Sequence, residues 1–292
     1  MREWAEIDSR QYILAFELRT LEDCPADFPL PPSLDGFDAG LFLPRDEPDW
    51  FGRSSYPPRI LLLKQRALHV ISHPGAAEPA VPFPLERIAA VESAHMLLKG
   101  LLRITGPGLD YTIRYNTRGL PSVAGFLRCF RGQLLGNVAD GAVLPLHWGP
   151  GLDMKFANAL AAELDPGETA LVQYSHPPGE VKWRSWLLPR RRSIPGELLA
   201  LTSRRLLWIT DRDRASYMRY GSIARYAPLE AVESVGLAPG GREVQVILRS
   251  TIAWSIPLAL EASEDCRRLA EALAATFETL KKRNESNRAQ PR

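Results

Sequence analysis

The sequence predicts a mainly β protein of the α+β class, with two similar halves that each close on an amphipathic helix. Three observations predict it. Short runs rich in β-branched and apolar residues, bounded by Pro and Gly, recur through both halves. A composite pattern found in the first half returns in the second. Two stretches place apolar residues every three or four positions, as a helix with one buried face requires.

The repeat is explicit. RILLLKQRALHVIS (59–72) leads to PLERIAAVES (84–93), and ELLALTSRRLLWIT (197–210) leads to PLEAVESVGL (228–237). Arg66, Leu68, Ile71 and Ser72 match Arg204, Leu206, Ile209 and Thr210 at an offset of 138 (204 − 66), and Pro84-Leu85-Glu86 matches Pro228-Leu229-Glu230 at 144 (228 − 84). The second half therefore carries the longer intervening loop. Such a period exceeds that of solenoid repeats and reads as a tandem duplication.

The strands follow from pattern. GLLRITG and LDYTIRYN are expected strands in the first half, and REVQVILRS and IAWSIPLAL in the second. Val244, Val246 and Leu248 alternate along one face, as in a half-buried strand. LLWIT reads as a strand in a closed barrel. Turns are expected at Pro107-Gly108, Pro195-Gly196 and Pro239-Gly240-Gly241.

The closing helices are the clearest elements. Val123, Phe126, Phe130 and Leu134 form one stripe, with Gly136-Asn137 as a stop. Leu269, Leu273, Phe277 and Leu280 form the other, with Ser263 as a cap and Lys281, Lys282 and Arg283 complementing the dipole at the far end. Cys129 and Cys266 lie in these helices and are expected to be buried. A short helix, DMKFANALAAEL, opens the second half with Phe156, Leu160 and Leu164 on one face, and the strand TALVQYSH follows. QYILAFELRT is its expected counterpart in the first half.

These elements give an expected domain plan. Residues 1–137 form a first domain with an irregular Pro-rich insertion at about 21–58. Residues 138–152 are a linker, 153–283 a second domain, and 284–292 a disordered tail.

Composition bounds the function. The chain has 292 residues, 45% hydrophobic and 24% charged, and a net charge of +2, so it gives no strong nucleic-acid signal and no nucleic-acid partner is expected. Arg outnumbers Lys 30 to 6, which reads as a bacterial GC-rich coding bias. Three Cys without C-x-x-C spacing argue against a disulfide scaffold or structural zinc and fit a cytoplasmic setting. No secretory signal and no transmembrane segment is expected. No nucleophile elbow, Walker loop or zincin motif occurs, and His69 with His73 lacks a carboxylate to complete a metal set. No catalytic residue, metal or cofactor is therefore predicted. GPGLD, at 106 and 149, reads as turn chemistry.

TSRRLLWIT, PLEAVESV, the helix from 263 to 283 and the opening FANALAAELDPGETALV together resemble bacterial pleckstrin-homology-like (PH/GRAM-type) domains. The resemblance covers about 150–283 well, and 59–136 less well because RILLLKQRALHVIS lacks the doubled Arg. It implies, for each half, a strongly bent seven-stranded antiparallel barrel closed by a C-terminal helix. It implies no catalytic residues. Eukaryotic relatives often bind phosphoinositides or peptides, while bacterial ones mostly have no assigned ligand.

The strongest functional signal is KWRSWLLPRRRSIPGE (182–197). From 182 to 225 there are eleven basic residues and three acids, net +8, whereas residues 1–50 hold twelve acids and four basic residues, net −8. Lys182, Arg184, Trp186, Arg190, Arg191, Arg192, Arg212 and Arg214 are the candidate contacts, with Trp183 and Leu187 as further interfacial anchors. They point to anionic lipid headgroups at the inner membrane face, or to a protein partner. The plainer alternative makes the tryptophans core and the arginines a solvated face. The acidic N-terminal segment is a candidate mask for the basic stretch. A non-catalytic binding module is the leading expectation. A scaffold acting through protein contacts alone, and an enzyme with an unrecognised site in the insertion, are the alternatives.

Overall fold

A computed structural model describes residues 15–26, 28–44, 58–72, 81–96, 99–116, 119–136, 146–148, 152–184, 189–211, 222–249, 252–258 and 263–289. The chain divides into two compact units. The first takes Met1–Ile88, His95–Arg103 and Tyr111–Gly136; the second takes Ala89–Ala94, Ile104–Asp110 and Asn137–Arg292.

The strands in chain order are β1 (Phe16–Leu18), β2 (Ala39–Leu43), β3 (Arg59–Lys64), β4 (Ala67–Ser72), β5 (Val81–Pro84), β6 (Ala90–Met96), β7 (Lys99–Gly106) and β8 (Leu109–Asn116), followed by helix α1 (Leu120–Leu135). Then come β9 (Leu146–Trp148), helix α2 (Met154–Glu163), β10 (Ala170–His176), β11 (Gly179–Arg184), β12 (Pro189–Ile194), β13 (Glu197–Thr202), β14 (Arg205–Thr210), β15 (Ser222–Pro228), β16 (Val232–Leu237), β17 (Glu243–Leu248), β18 (Ile252–Pro257) and helix α3 (Ser263–Ala289).

In the first unit, β1 to β5 form an antiparallel meander in chain order. Phe16 lies opposite Phe42, Phe42 opposite Ile60 and Ile60 opposite Ile71, so these residues share one face. That face is covered by the Pro-rich segment. Cys24, Phe28 and Leu34 are buried with Leu18, Phe42, Ile60, Leu62 and Ile71, and Leu21, Leu30 and Phe37 pack at the margin. Gly40 is required there: a Cβ would meet the Phe37 ring at 2.7 Å and the Leu18 Cβ at 2.9 Å. The expectation of a plain irregular insertion at 21–58 is corrected accordingly, since it contains β2 and supplies one layer of the core. The next residues of β3, Leu61 and Leu63, are buried as well, and α1 packs against β1 and β2.

In the second unit, β10, β13, β14 and β15 form an antiparallel run, and β16, β17 and β18 form a separate antiparallel sheet. Their core contains Tyr174, Leu199, Leu201, Leu206, Val244, Val246 and Ile256, together with Leu269, Leu273, Phe277 and Leu280 of α3. Every residue of β13 is buried, which requires cover on both faces. α2 packs against β14 and buries Phe156 and Leu160.

The expected pair of closed barrels is not what forms. Among the described residues the strands make open sheets of five, eight, two and three strands, and none closes on itself. The largest has the order β8-β7-β6-β15-β14-β13-β10-β9. Closure would need its edges to find one another. Instead the four-stranded run is extended at both sides, β6 lying next to β15 and β9 running parallel to β10, which leaves β8 and β9 as the edges. The α+β class holds; the barrel architecture does not.

Two matching stretches of sequence make the same local turn. After Pro84 (φ −57°) and after Pro228 (φ −53°), Leu-Glu-Arg and Leu-Glu-Ala each make one 3₁₀ turn. The amide of Leu85 donates to the Arg66 carbonyl at 2.8 Å, and that of Leu229 to the Arg204 carbonyl at 3.2 Å.

The helices depart from expectation at three points. α1 buries Val123, Phe126, Phe130 and Leu134 as its spacing predicts, but Cys129 is exposed. The reason is positional: Cys129 sits one residue off the apolar stripe. α3 runs on to Ala289, so Lys281–Arg283 lie inside it, and residues 284–289 are helical rather than a disordered tail. Finally, β9 lies within the Gly- and Pro-rich stretch expected to be only a linker.

Candidate interaction arm

β11 and β12 form a two-stranded sheet of their own. They pair Gly179 with Ile194, Lys182 with Arg191, Trp183 with Arg190 and Arg184 with Pro189. In β10 and β13, Gln173 pairs with Ala200, Tyr174 with Leu199 and His176 with Glu197. From Val172 onward the paired numbers sum to 373 in both ladders (176 + 197 and 179 + 194). The two ladders are therefore one ribbon in a single register, interrupted between His176/Glu197 and Gly179/Ile194. The interruption has a chemical cause. Three of its four residues, Pro177, Pro178 and Pro195, have no N–H to donate. The fourth, Gly196, admits no side chain, because a Cβ would meet Pro178 Cδ at 2.9 Å and the Phe156 ring at 3.0 Å.

The arm carries most of the candidate contacts. Lys182, Arg184, Arg190, Arg191 and Arg192 all lie on its two strands, Arg192 opposite Val181. Trp186 and Leu187 come between β11 and β12 in the chain, and Arg212 and Arg214 between β14 and β15; all four lie outside the described residues. The same holds for much of the acidic N-terminal segment. Of its acids, Asp23 accepts from the amides of Arg19 and Thr20, Asp35 pairs with Lys64, and Asp38 accepts from Gln133 Nε2 at 2.9 Å.

Part of the net +8 is compensated inside the fold. Arg205 is fully buried and makes a two-pronged pair with Glu168, from Nε at 2.9 Å and Nη2 at 2.7 Å, and Nη2 also donates to the Glu163 carbonyl. The Thr202 hydroxyl donates to Glu168 at 2.7 Å, and the Asp165 amide does so at 3.0 Å. Burial would raise the Glu168 carboxyl, but Arg205 and these donors outweigh it and hold the group below its ordinary range. Arg204 pairs with Asp165 at 3.6 Å. Arg225 pairs with Glu92 and lies 4.6 Å from the centre of the Trp208 ring. Three of the eleven basic residues are thus matched to carboxylates outside the stretch. The sequence gives no sign of which Arg of the doubled pair is buried.

The root of the arm is also polar. His176, Glu197 and Thr210 stand in one cross-strand row, and all three are buried. Asp211 follows Thr210, and Lys155 of α2 bonds it at 3.3 Å. Among the described residues no group of three or more His, Cys, Asp or Glu is placed to hold a metal ion. His69 lies in β4 opposite Leu62, and His73 is outside the described residues. No described helix is long and apolar enough to cross a membrane. In comparison with known proteins, no family model and no curated protein matches this sequence.

Proposed function

We propose that the protein is a non-catalytic binding module whose β11–β12 arm contacts an anionic membrane surface. One observation carries the reading: the arm's register sets Lys182 directly against Arg191, and Arg190 against Trp183, in a ribbon hydrogen-bonded to no other described sheet. Like charges in opposed positions weaken a strand pair, and past the joint β11 and β12 pair only with each other among the described strands. A dense anionic surface would offset that repulsion. Each basic residue near such a surface contributes about 1 kcal/mol. Tryptophan within the same ribbon suits the headgroup region.

The test is co-sedimentation of the intact protein with vesicles with and without phosphatidylserine, at low and moderate salt. Changing Arg190, Arg191 and Arg192 to Ala should weaken binding about 100-fold, from roughly 1 kcal/mol per residue. Salt-sensitive binding only to the anionic vesicles supports the proposal. Binding that is indifferent to lipid charge, or no binding at all, overturns it and leaves a protein partner as the arm's target.

A further inference from the structure

The joint at the root of the arm holds an imidazole in an unusual setting. His176 is 5% exposed. Its Nδ1 lies 3.0 Å from the Pro177 carbonyl oxygen, which can only accept. Nδ1 therefore carries the proton and donates, and in the neutral ring Nε2 is left with its lone pair. That Nε2 is buried and has no hydrogen-bond partner among the described residues.

The groups around it come from several elements. Glu197 on β13 is directly opposite, and Thr210 on β14 lies next in the row. The Tyr174 ring is 5.8 Å from the imidazole. Asp211, just past β14, is bonded to Lys155 of α2. β9 brings His147 opposite Gln173, three residues away, and the stripe that α3 buries in the core is apolar. Burial is the largest influence on the imidazole and lowers its pKa, opposed by the Pro177 carbonyl and by Asp211.

We propose that His176 is a proton-operated latch that sets whether the arm stays in line with β10 and β13. Neutral, the ring stays buried and the ribbon continues across the joint. Protonated, Nε2 becomes a charged donor that must reach water or turn to Glu197. Either movement acts on a joint whose prolines offer few ladder hydrogen bonds to resist it. The sign follows from the depressed pKa. The opened form takes up a proton first as pH falls below the ordinary imidazole value of about 6.5, so acid favours opening. What the latch would regulate rests on the arm being the membrane contact; the latch itself does not.

Hydrogen exchange of the intact protein without vesicles separates the two. At about pH 5.5, amides within 177–196 should exchange roughly tenfold faster, relative to about pH 7.5 and after correction for intrinsic rates, while β13 and β14 do not follow. His176→Asn keeps a donor near the Pro177 carbonyl and does not titrate, and it should abolish the difference. An arm that quickens equally in the Asn variant, or not at all in the native chain, overturns the latch. Should that variant fail to fold, the imidazole titration in the native protein decides by NMR. A midpoint below the ordinary value with arm amides shifting in step supports the latch, and an ordinary midpoint or unmoved arm amides sinks it. A chain that binds no vesicle but shows the acid-dependent opening fails the membrane reading alone.

Discussion

The two units cover one face of an antiparallel hairpin run in different ways. In the first, an irregular Pro-rich chain lays Phe28, Leu34 and Phe37 over β2, β3 and β4, and its polar link to the β3–β4 turn is the pair Lys64–Asp35, whose carboxylate is exposed. In the second, α2 lays Phe156 and Leu160 over the sheet, and its polar link to the β13–β14 turn is the fully buried pair Arg205–Glu168. The lesson is that a sheet face demands apolar area but not a particular secondary structure. A helix end, however, leaves carbonyls that need donors, and Arg205 meets one of them at Glu163. The polar chemistry is thus buried where a helix ends and exposed where an irregular chain, whose backbone groups already turn on themselves, does the covering.

The sharpest break of that comparison is at the polar links. Glu168→Ala should cost about 3–5 kcal/mol in urea unfolding, because it strands a buried guanidinium. Asp35→Asn should leave the unfolding midpoint unchanged, because Asp35 is exposed. A large loss from Asp35→Asn would erase the distinction. The covers themselves should behave alike: Phe28→Ala and Phe156→Ala are each expected to cost about 3–5 kcal/mol, and a markedly smaller loss at Phe28 would make the Pro-rich segment a weaker layer than the helix. Gly40→Ala should cost about 1–3 kcal/mol by forcing Phe37 away from β2.

Acid offers a finer probe. The Glu168 carboxyl is held below its ordinary range, so the stability it confers is complete above the ordinary carboxyl value of about 4.3 and is lost as pH falls through the lower folded value. A double variant, Glu168→Leu with Arg205→Met, should show a shallower acid decline in urea midpoints than the native chain. An identical decline would remove the pair as the cause. The smallest effect separates the two closing helices. Cys129 faces out from α1, while Cys266 in α3 is buried, and burial pushes the Cys24 thiol up to about 11. A thiol reagent at mildly alkaline pH should modify Cys129 rapidly and the other two only on unfolding, and Cys129→Ser should leave stability untouched.

What could be read in the sequence follows from the range of the interactions involved. The stripes Val123–Leu134 and Leu269–Leu280 were legible because a helix repeats its burial locally. β17 and β18 were legible by alternation. The Pro-rich cover was not, because Phe28, Leu34 and Phe37 follow no period and are ordered only by a face distant in the chain. The open sheet was not, because the outer neighbours of β10 and β15, β9 and β6, come from elsewhere in the chain. The basic stretch was legible as charge, but not which charges are matched: Arg204 and Arg205 look equivalent in sequence, yet the partners that distinguish them, Asp165 and Glu168, sit some 40 residues earlier. The joint did have a signal, HPPG on one side and IPGE on the other, which is legible only when the two strands are written in register.

That constant register has a further consequence for the gene. Because positions 176 and 197 are already partners, excising Gly179–Ile194 and joining Pro178 to Pro195 leaves a four-residue connection, Pro-Pro-Pro-Gly, between strands whose pairing does not shift. In-frame changes that remove equal numbers of residues from both sides shorten the arm in whole rungs, while removing a single residue from one side slips the pairing and reverses which residues share a face. The arm is in this sense a cassette: its length can change by whole rungs without shifting the register of β10 and β13, which bear it.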